Sequence, residues 1–163
     1  FTGIGLSFGA GMVNVCLCFK AVPVFSFSLA KSGDWIDQQV SMVVNETASK
    51  VCSIKESSLD LTKTSNLTKI ESALSIYYNH LIEYVIENMK DEFSRTEKMP
   101  RIEKPIDIVL SGGTSMPKGF AERFKEIFIR LKFPLTIGEV KIASNPLKAV
   151  AKGALVAANA DAG

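Results

Sequence analysis

The chain has 163 residues, of which 47% are hydrophobic, and this length and composition suit one globular domain with a sizeable core. Its formal net charge is only +2 and its basic residues are scattered, which argues against a dedicated nucleic-acid surface. No apolar run is long enough to span a bilayer, so we expect a cytoplasmic protein without a membrane span.

The cysteine and histidine content argues against disulfide and metal chemistry. Three cysteines, Cys16, Cys18 and Cys52, cannot all pair, and we interpret them as small core hydrophobes in a reducing compartment. No metal site is expected, because His80 is the only histidine and no acidic cluster accompanies these residues. The sequence opens at Phe1 with strand-like residues and no methionine, which predicts a piece of a longer protein.

The first part of the chain predicts three strands, within residues 1–6, 12–19 and 22–29. The segment SFGAG joins the first two as a hairpin, in which Gly9 and Gly11 allow positive φ at the tip. A tight turn at Lys20-Ala21 leads into the third strand. Short links between three successive strands predict an antiparallel meander.

A change of period then predicts helices. Apolar residues follow helical spacing from Ile36 to Val51, with Asp34 as the predicted N-cap. Residues 55–68 are polar and without sustained period, which indicates a loop or a small insertion around residues 53–69. A long amphipathic helix follows, with apolar positions from Ile70 to Phe93.

Residues 106–119 form the most informative stretch, IDIVLSGGTSMPKG. It predicts a short buried strand, a tight exit at Gly112-Gly113, and a helix capped by Thr114 or Ser115. Such glycines let a flat ring or a phosphate approach the backbone, although many α/β folds use them only to turn.

The remaining elements complete the predicted fold. A helix through Leu131, a strand within residues 135–143, and a last helix with Asn145 as cap and Pro146 as first residue are expected. The element order predicts an α/β fold in a single lobe, residues 1–163. Its sheet is a ribonuclease H-like mixed five-stranded sheet, a three-stranded antiparallel meander plus two parallel strands, flanked by helices.

Four segments, in this order, resemble the actin, heat-shock chaperone and sugar-kinase ATPase superfamily. They are SFGAGMVNV (7–15), similar to the second phosphate motif D-x-G-G-G-T-x-D-V; KSGDWIDQQV (31–40), similar to G-G-D-x-x-D in bacterial actin homologues; IVLSGGTSMPKG (108–119), which looks like the adenosine motif; and SNPLKAVAKGAL (144–155), which looks like the second connecting motif N-P-x-x-A-V-A-x-G-A.

The resemblance implies the second, C-terminal lobe of an actin-like or chaperone-like ATPase. Such a parent binds ATP or ADP with magnesium in a cleft that a first lobe, missing here, completes. The parent is then a possible ATPase, whereas the isolated fragment is expected to be inactive because half a cleft cannot position the γ-phosphate. Expected partners are the nucleotide, the first lobe, and either further copies of the chain or another protein.

The same resemblance assigns residues. The amides around Gly9, Ala10 and Gly11 would face the β- and γ-phosphates, as consecutive amides in a glycine hairpin form an anion nest. The other expected contacts are Gly112, Gly113 and Thr114 beside adenine and ribose, and Gly33 and Asp34 at the start of the following helix. Lys55 and Glu56 fall near polar nucleoside contacts of relatives, but the local match is poor and neither is predicted individually.

Two departures concern chemistry. Ser7 and Asn14 stand where the phosphate motif has acidic residues, and a serine hydroxyl is a weaker magnesium ligand than a carboxylate. This observation keeps an alternative open, a degenerate lobe that serves as a non-hydrolysing scaffold or assembly module. Plain structural interpretations also remain: Asp34 as only an N-cap, and Gly9 and Gly11 as only a hairpin tip. A sugar-kinase-type lobe is a third alternative, disfavoured by the small insertion.

Overall fold

A computed structural model describes residues 1–97 and 99–161. Its centre is a five-stranded mixed sheet with the order β3-β2-β1-β4-β5. The strands are β1 (Gly3–Phe8), β2 (Val13–Phe19), β3 (Val22–Leu29), β4 (Ile106–Ser111) and β5 (Ile137–Ile142). The helices are α1 (Gly33–Val44), α2 (Ala48–Ser57), α3 (Lys69–Arg95), α4 (Phe120–Arg130) and α5 (Ala149–Asp161). The predicted α/β fold class is confirmed.

The first three strands form the predicted antiparallel meander. Lys20 and Ala21 join β2 to β3 with φ values of 51° and 66°, the positive values that a tight two-residue hairpin turn requires. Neither Gly9 nor Gly11 adopts the positive φ that the sequence analysis allowed at the tip of the first hairpin.

The second half of the sheet is parallel. Strand β4 runs parallel to β1, with Ser111 level with Ser7, and β5 runs parallel to β4. Because parallel strands end at the same edge of a sheet, the segments that follow β1 and β4 meet there. This topology places residues 9–12 beside residues 112–115.

One face of the sheet carries the core. Ile4, Leu6 and Phe8 alternate with smaller residues along β1 and are buried. Phe8 packs edge-on against Phe120 and Phe124 of α4, with ring centroids 5.1 and 6.2 Å apart. Helices α1, α3 and α4 bury their apolar residues in the same core.

The structure divides the first predicted helix. Asn45 ends α1 in the left-handed conformation, with its amide hydrogen bonded to Ser41, and Thr47 caps α2 by accepting a hydrogen bond from the Lys50 amide. Asparagine after a helix and threonine before one are ordinary end signals. The prediction that residue 55 begins a loop was therefore wrong, since α2 continues to Ser57.

Three predicted caps also differ. Ser32, not Asp34, holds the N-cap position of α1. Thr114 and Ser115 form a short 3-10 turn, and α4 begins later, after Gly119. Helix α5 begins at Ala149 rather than at residue 146, although the Asn145 side chain does accept a hydrogen bond from the Lys148 amide at 3.2 Å.

Cys16 and Cys18 share the sheet face opposite the core, with their sulfur atoms 3.6 Å apart, and are half-buried. The interpretation of these two residues as core hydrophobes was wrong, because β2 directs only its odd-numbered apolar residues inward. Two effects raise the pKa of Cys16 to about 11: burial, which is the larger, and the hydrogen bond and charge of the neighbouring Cys18. Within residues 1–97 and 99–161, no helix has the length and hydropathy of a membrane span.

Candidate functional site

The segments after β1 and β4 are locked together by backbone packing. Gly112 has a φ of 90° and ψ of 159°, and a Cβ atom there would lie 2.5 Å from the carbonyl carbon of Phe8. Only glycine allows this approach. The Gly112 amide also donates a hydrogen bond to the Pro146 carbonyl at 3.0 Å. Gly112 therefore joins three segments and serves as a structural contact of the site.

The hairpin after β1 is held against the start of α1. The Gly9 amide donates to the Met12 carbonyl at 3.0 Å and closes the hairpin. The carbonyl of Gly9 accepts from the Gly33 amide at 3.3 Å, and the carbonyl of Ala10 accepts from the Asp34 amide at 2.9 Å. Two consecutive carbonyl groups of the hairpin therefore point toward α1.

This arrangement fixes the direction of two amides. In a trans peptide the N–H group points opposite to the carbonyl group of the same peptide unit. The N–H groups of Ala10 and Gly11 are therefore directed away from α1. Both residues are exposed, and neither amide has a hydrogen-bond partner within the part of the chain that the structure describes. Two adjacent amides that point the same way into solvent can bind an anion.

A cavity of about 530 Å³ adjoins the hairpin. It brings together the hairpin, the starts of α1 and of the 3-10 turn, and the end of α2. Its principal lining residues are Ala10, Asp34, Asp37, Cys52, Lys55, Glu56, Tyr78, Gly113, Thr114, Met116, Lys118 and Leu147. Four predicted site residues are among them, namely Ala10, Asp34, Gly113 and Thr114. The volume lies in the range of small-molecule pockets.

The inner wall of the cavity carries a buried ion pair. Lys55 donates to Asp37 Oδ2 at 2.6 Å and to the Gly33 carbonyl at 3.2 Å, and both side chains are less than a tenth exposed. Asp37 Oδ1 and the Tyr78 hydroxyl are buried and have no hydrogen-bond partner among the residues that the structure describes. Burial, and then the charge of Asp37, raises the pKa of Tyr78, so this hydroxyl remains protonated. Unpaired buried polar atoms are uncommon in folded proteins, and a bound polar group is one way to satisfy them.

Lys55 and Glu56 both line this cavity, although neither was predicted individually. The reason is that α2 continues through them and turns both toward the cavity, whereas the sequence indicated a loop. Burial, and then the charge of Asp37, raises the pKa of Cys52 on the same wall. The sequence signal that could have identified Lys55 and Glu56 is Asn45-Glu46-Thr47, which marks the end of one helix and the start of the next.

Ser7 and Asn14 lie elsewhere, in a groove of about 500 Å³ on the sheet face opposite the core. They are partners in the register of β1 and β2, one residue pair away from the hairpin. Asn14 Oδ1 accepts a hydrogen bond from the Ser28 hydroxyl at 2.6 Å. The structure thus places four of the ten predicted site residues at the cavity and two, Ser7 and Asn14, in the groove. The other four, Gly9, Gly11, Gly33 and Gly112, line neither.

Magnesium does not fit the residues of this chain alone. Ser7 and Asn14 offer neutral oxygen atoms, and Asn14 Oδ1 is already engaged. Among the residues that the structure describes, no three His, Cys, Asp or Glu side chains are grouped as metal ligands. Because Mg²⁺ prefers carboxylate, phosphate and water oxygens, Ser7 and Asn14 are a poor ligand set for it.

The mixed sheet, the hairpin at the end of β1 and the glycine turn at the end of β4 define the class by its fold: an α/β lobe of the actin-like type. Comparison with protein families matches residues 1–158 to Volactin. The chain belongs to the Volactin family.

Two solved structures show the same fold. A non-polymerising MamK mutant bound to AMPPNP superposes with a TM-score of 0.74 at 20% identity, over 96% of this chain and 54% of that one. Ethanolamine utilization protein EutJ from Carboxydothermus hydrogenoformans gives a TM-score of 0.64 at 16% identity, over 90% of this chain and 46% of that one. The chain spans about half the length of these proteins. No curated protein matches its sequence.

Proposed function

We propose that this chain forms the nucleotide-binding lobe of an actin-like protein, which takes ATP or ADP in a cleft completed by a first lobe. The nucleoside occupies the cavity beside Gly113 and Thr114, and the phosphates lie at the amides of Ala10 and Gly11. The observation that carries the proposal is the direction of those two amides, away from α1 at the edge of the cavity. The MamK mutant, a protein of the same fold, is bound to AMPPNP, and this adds support.

The cavity also supplies polar groups that suit a nucleoside. The Lys55 ammonium is oriented by Asp37, and Glu56 presents a carboxylate at the wall. Carboxylates accept hydrogen bonds from ribose hydroxyls, and ammonium groups donate to ring nitrogens or sugar oxygens. Gly113 leaves the opposite wall open, since a Cβ there would meet only Leu147 Cδ2 at 3.7 Å. A flat ring can therefore approach the backbone at Gly113.

Calorimetric titration of the intact protein with AMPPNP, in the presence and absence of magnesium, tests the proposal. The intact protein is used because the cleft requires both lobes, and binding in roughly the micromolar to millimolar range is expected. A failure to bind AMPPNP, ATP or ADP at millimolar concentration would rule the proposal out. A control titration with adenosine separates the contribution of the cavity from that of the phosphate amides.

A second function is favoured by a specific observation, the engagement of Asn14 Oδ1 by Ser28 and the serine at position 7. We infer that hydrolysis is weak, and a lobe kept as an assembly scaffold is the alternative. The change Ser7→Asp with Asn14→Asp restores the acidic residues of the resembled motif. A clear gain in ATPase rate would count against the scaffold, whereas an unchanged rate in a protein that binds nucleotide would support it.

A further inference from the structure

Ser32 makes an unusual contact for an N-cap residue. It holds the N-cap position of α1 and is fully buried, yet its hydroxyl does not accept a hydrogen bond from the first turn of the helix. The hydroxyl instead donates to the Gly9 carbonyl at 2.5 Å. Serine is common at this position because it satisfies free helix amides. Here the hydroxyl forms its hydrogen bond with the hairpin instead, although Ser32 and Gly9 are 23 positions apart in the chain.

The Gly9 carbonyl is held from three sides. Besides Ser32, it accepts from the Thr114 hydroxyl at 2.8 Å and from the Gly33 amide at 3.3 Å. A carbonyl oxygen has two lone pairs, so three donors saturate it and fix the plane of the Gly9–Ala10 peptide. The N–H group of Ala10 belongs to that same peptide unit. Its direction is therefore set by groups that lie on the opposite side of the hairpin.

We propose that Ser32 is a positioning residue for the phosphate groups of the nucleotide. Its hydroxyl holds the Gly9–Ala10 peptide so that the Ala10 amide is directed at a di- or triphosphate. Hydrogen bonds accepted by a carbonyl also polarise its peptide and strengthen the N–H group as a donor. The proposal rests on the nucleotide site proposed above, and it adds a residue that does not touch the ligand.

The amides of α1 support this role. The Gly33 and Asp34 amides, the first two of α1, both donate hydrogen bonds to carbonyl groups of the hairpin. The positive end of the helix dipole therefore faces the hairpin peptides, and it acts on an anion through them. Ser32 is the side chain at this junction that belongs to neither the hairpin nor the cavity wall.

The test compares Kd values for AMPPNP and adenosine in the intact protein, wild type and Ser32→Ala. Loss of one hydrogen bond to the carbonyl is expected to weaken AMPPNP binding about five- to tenfold. Adenosine affinity should change less than about twofold, because the cavity keeps its lining. The matched control is Ser111→Ala, which removes another buried hydroxyl that donates to a β1 carbonyl, that of Leu6 at 3.1 Å. It should leave both affinities unchanged.

The outcomes are distinct. An equal loss of both affinities, or no loss of either, would overturn the role of Ser32 while leaving the nucleotide site intact. A wild-type protein that binds neither ligand would refute the proposed function, and the role of Ser32 with it. If Ser32→Ala does not fold, Ser32→Gly takes its place, since glycine is tolerated at N-cap positions at a cost of only a few tenths of a kcal/mol. Thermal unfolding of each variant confirms that a folded protein is compared.

Discussion

The substitution Gly112→Ala tests how the two halves of the site are joined. Gly112 has φ 90° and ψ 159°, a region of backbone conformation that is occupied almost only by glycine. A methyl group there would lie 2.5 Å from the carbonyl carbon of Phe8 and closer still to its oxygen. Contacts between carbon atoms are ordinarily about 3.5–4.0 Å. The hairpin and the turn would therefore have to separate.

The expected cost follows from two contributions. Backbone strain at such a position contributes roughly 1–3 kcal/mol. Overpacking against a backbone that belongs to β1 contributes roughly another 1–3 kcal/mol. The sum, about 2–6 kcal/mol, is a large share of the roughly 5–15 kcal/mol that stabilises an ordinary domain. We therefore expect a strongly destabilised or unfolded variant.

Urea denaturation of Gly112→Ala and of Gly5→Ala gives the measurement. Gly5 lies in β1, where an added Cβ would meet no atom within 4 Å. Its replacement should change the free energy of unfolding by less than about 1 kcal/mol, and in the stabilising direction if the unfolded chain loses entropy. Equal midpoints for the two variants would show that Gly112 does not join the segments as described.

Three further predictions concern the cavity and its surroundings. Gly113→Ala should leave the free energy of unfolding within about 0.5 kcal/mol of wild type, because the new methyl group meets only Leu147 at 3.7 Å. Calorimetry should nevertheless show that the affinity for AMPPNP falls about tenfold, because the methyl group enters the cavity. Lys55→Met should lower the free energy of unfolding in urea by about 3–5 kcal/mol, because it leaves Asp37 buried and unpaired. Adding Asp37→Leu should restore most of that stability. A double variant no more stable than Lys55→Met would contradict the prediction. Hydrogen bonds from Thr62, and then from Lys118, lower the pKa of Asp60 to about 2, below its unfolded value of about 3.9. The contribution of Asp60 to the free energy of unfolding is therefore present above about pH 4 and lost toward about pH 2. Plotted against pH, the free energies of unfolding of wild type and Asp60→Asn should therefore converge on acidification. A difference that stays constant with pH would refute the prediction.

The sheet could be predicted because its signals are local. Alternating apolar residues and the Lys20-Ala21 turn determine the meander, and the apolar run before Gly112 indicates β4. The bounds of the helices before residue 69 were harder to predict from the sequence. Apolar spacing continues across the break at Asn45, because α1 and α2 bury residues in the same core. Period alone therefore did not reveal where one helix ends and the next begins.

The candidate site depends more on contacts between distant residues. The glycine pattern indicated a hairpin at Gly9 and a turn at Gly112, and both lie where the strand ends meet. No local pattern indicates that Ser32 donates to Gly9 or that Lys55 pairs with Asp37 across two helices. Those contacts arise from how α1 and α2 pack, which sequence periodicity does not specify.

The hairpin also separates two properties that the resembled motif combines. Ala10 stands where the motif has its middle glycine, and Gly9 and Gly11 have no positive φ, so the direction of the amides does not depend on glycine conformation. It depends on the hydrogen bonds that α1 donates to the carbonyls of Gly9 and Ala10. The proposed phosphate binding therefore requires only backbone groups, which the substitutions in the motif leave in place. The acidic groups that would order a metal or a water molecule are side chains, and Ser7 and Asn14 replace them. Under the proposed function, nucleotide binding and hydrolysis are therefore expected to vary independently.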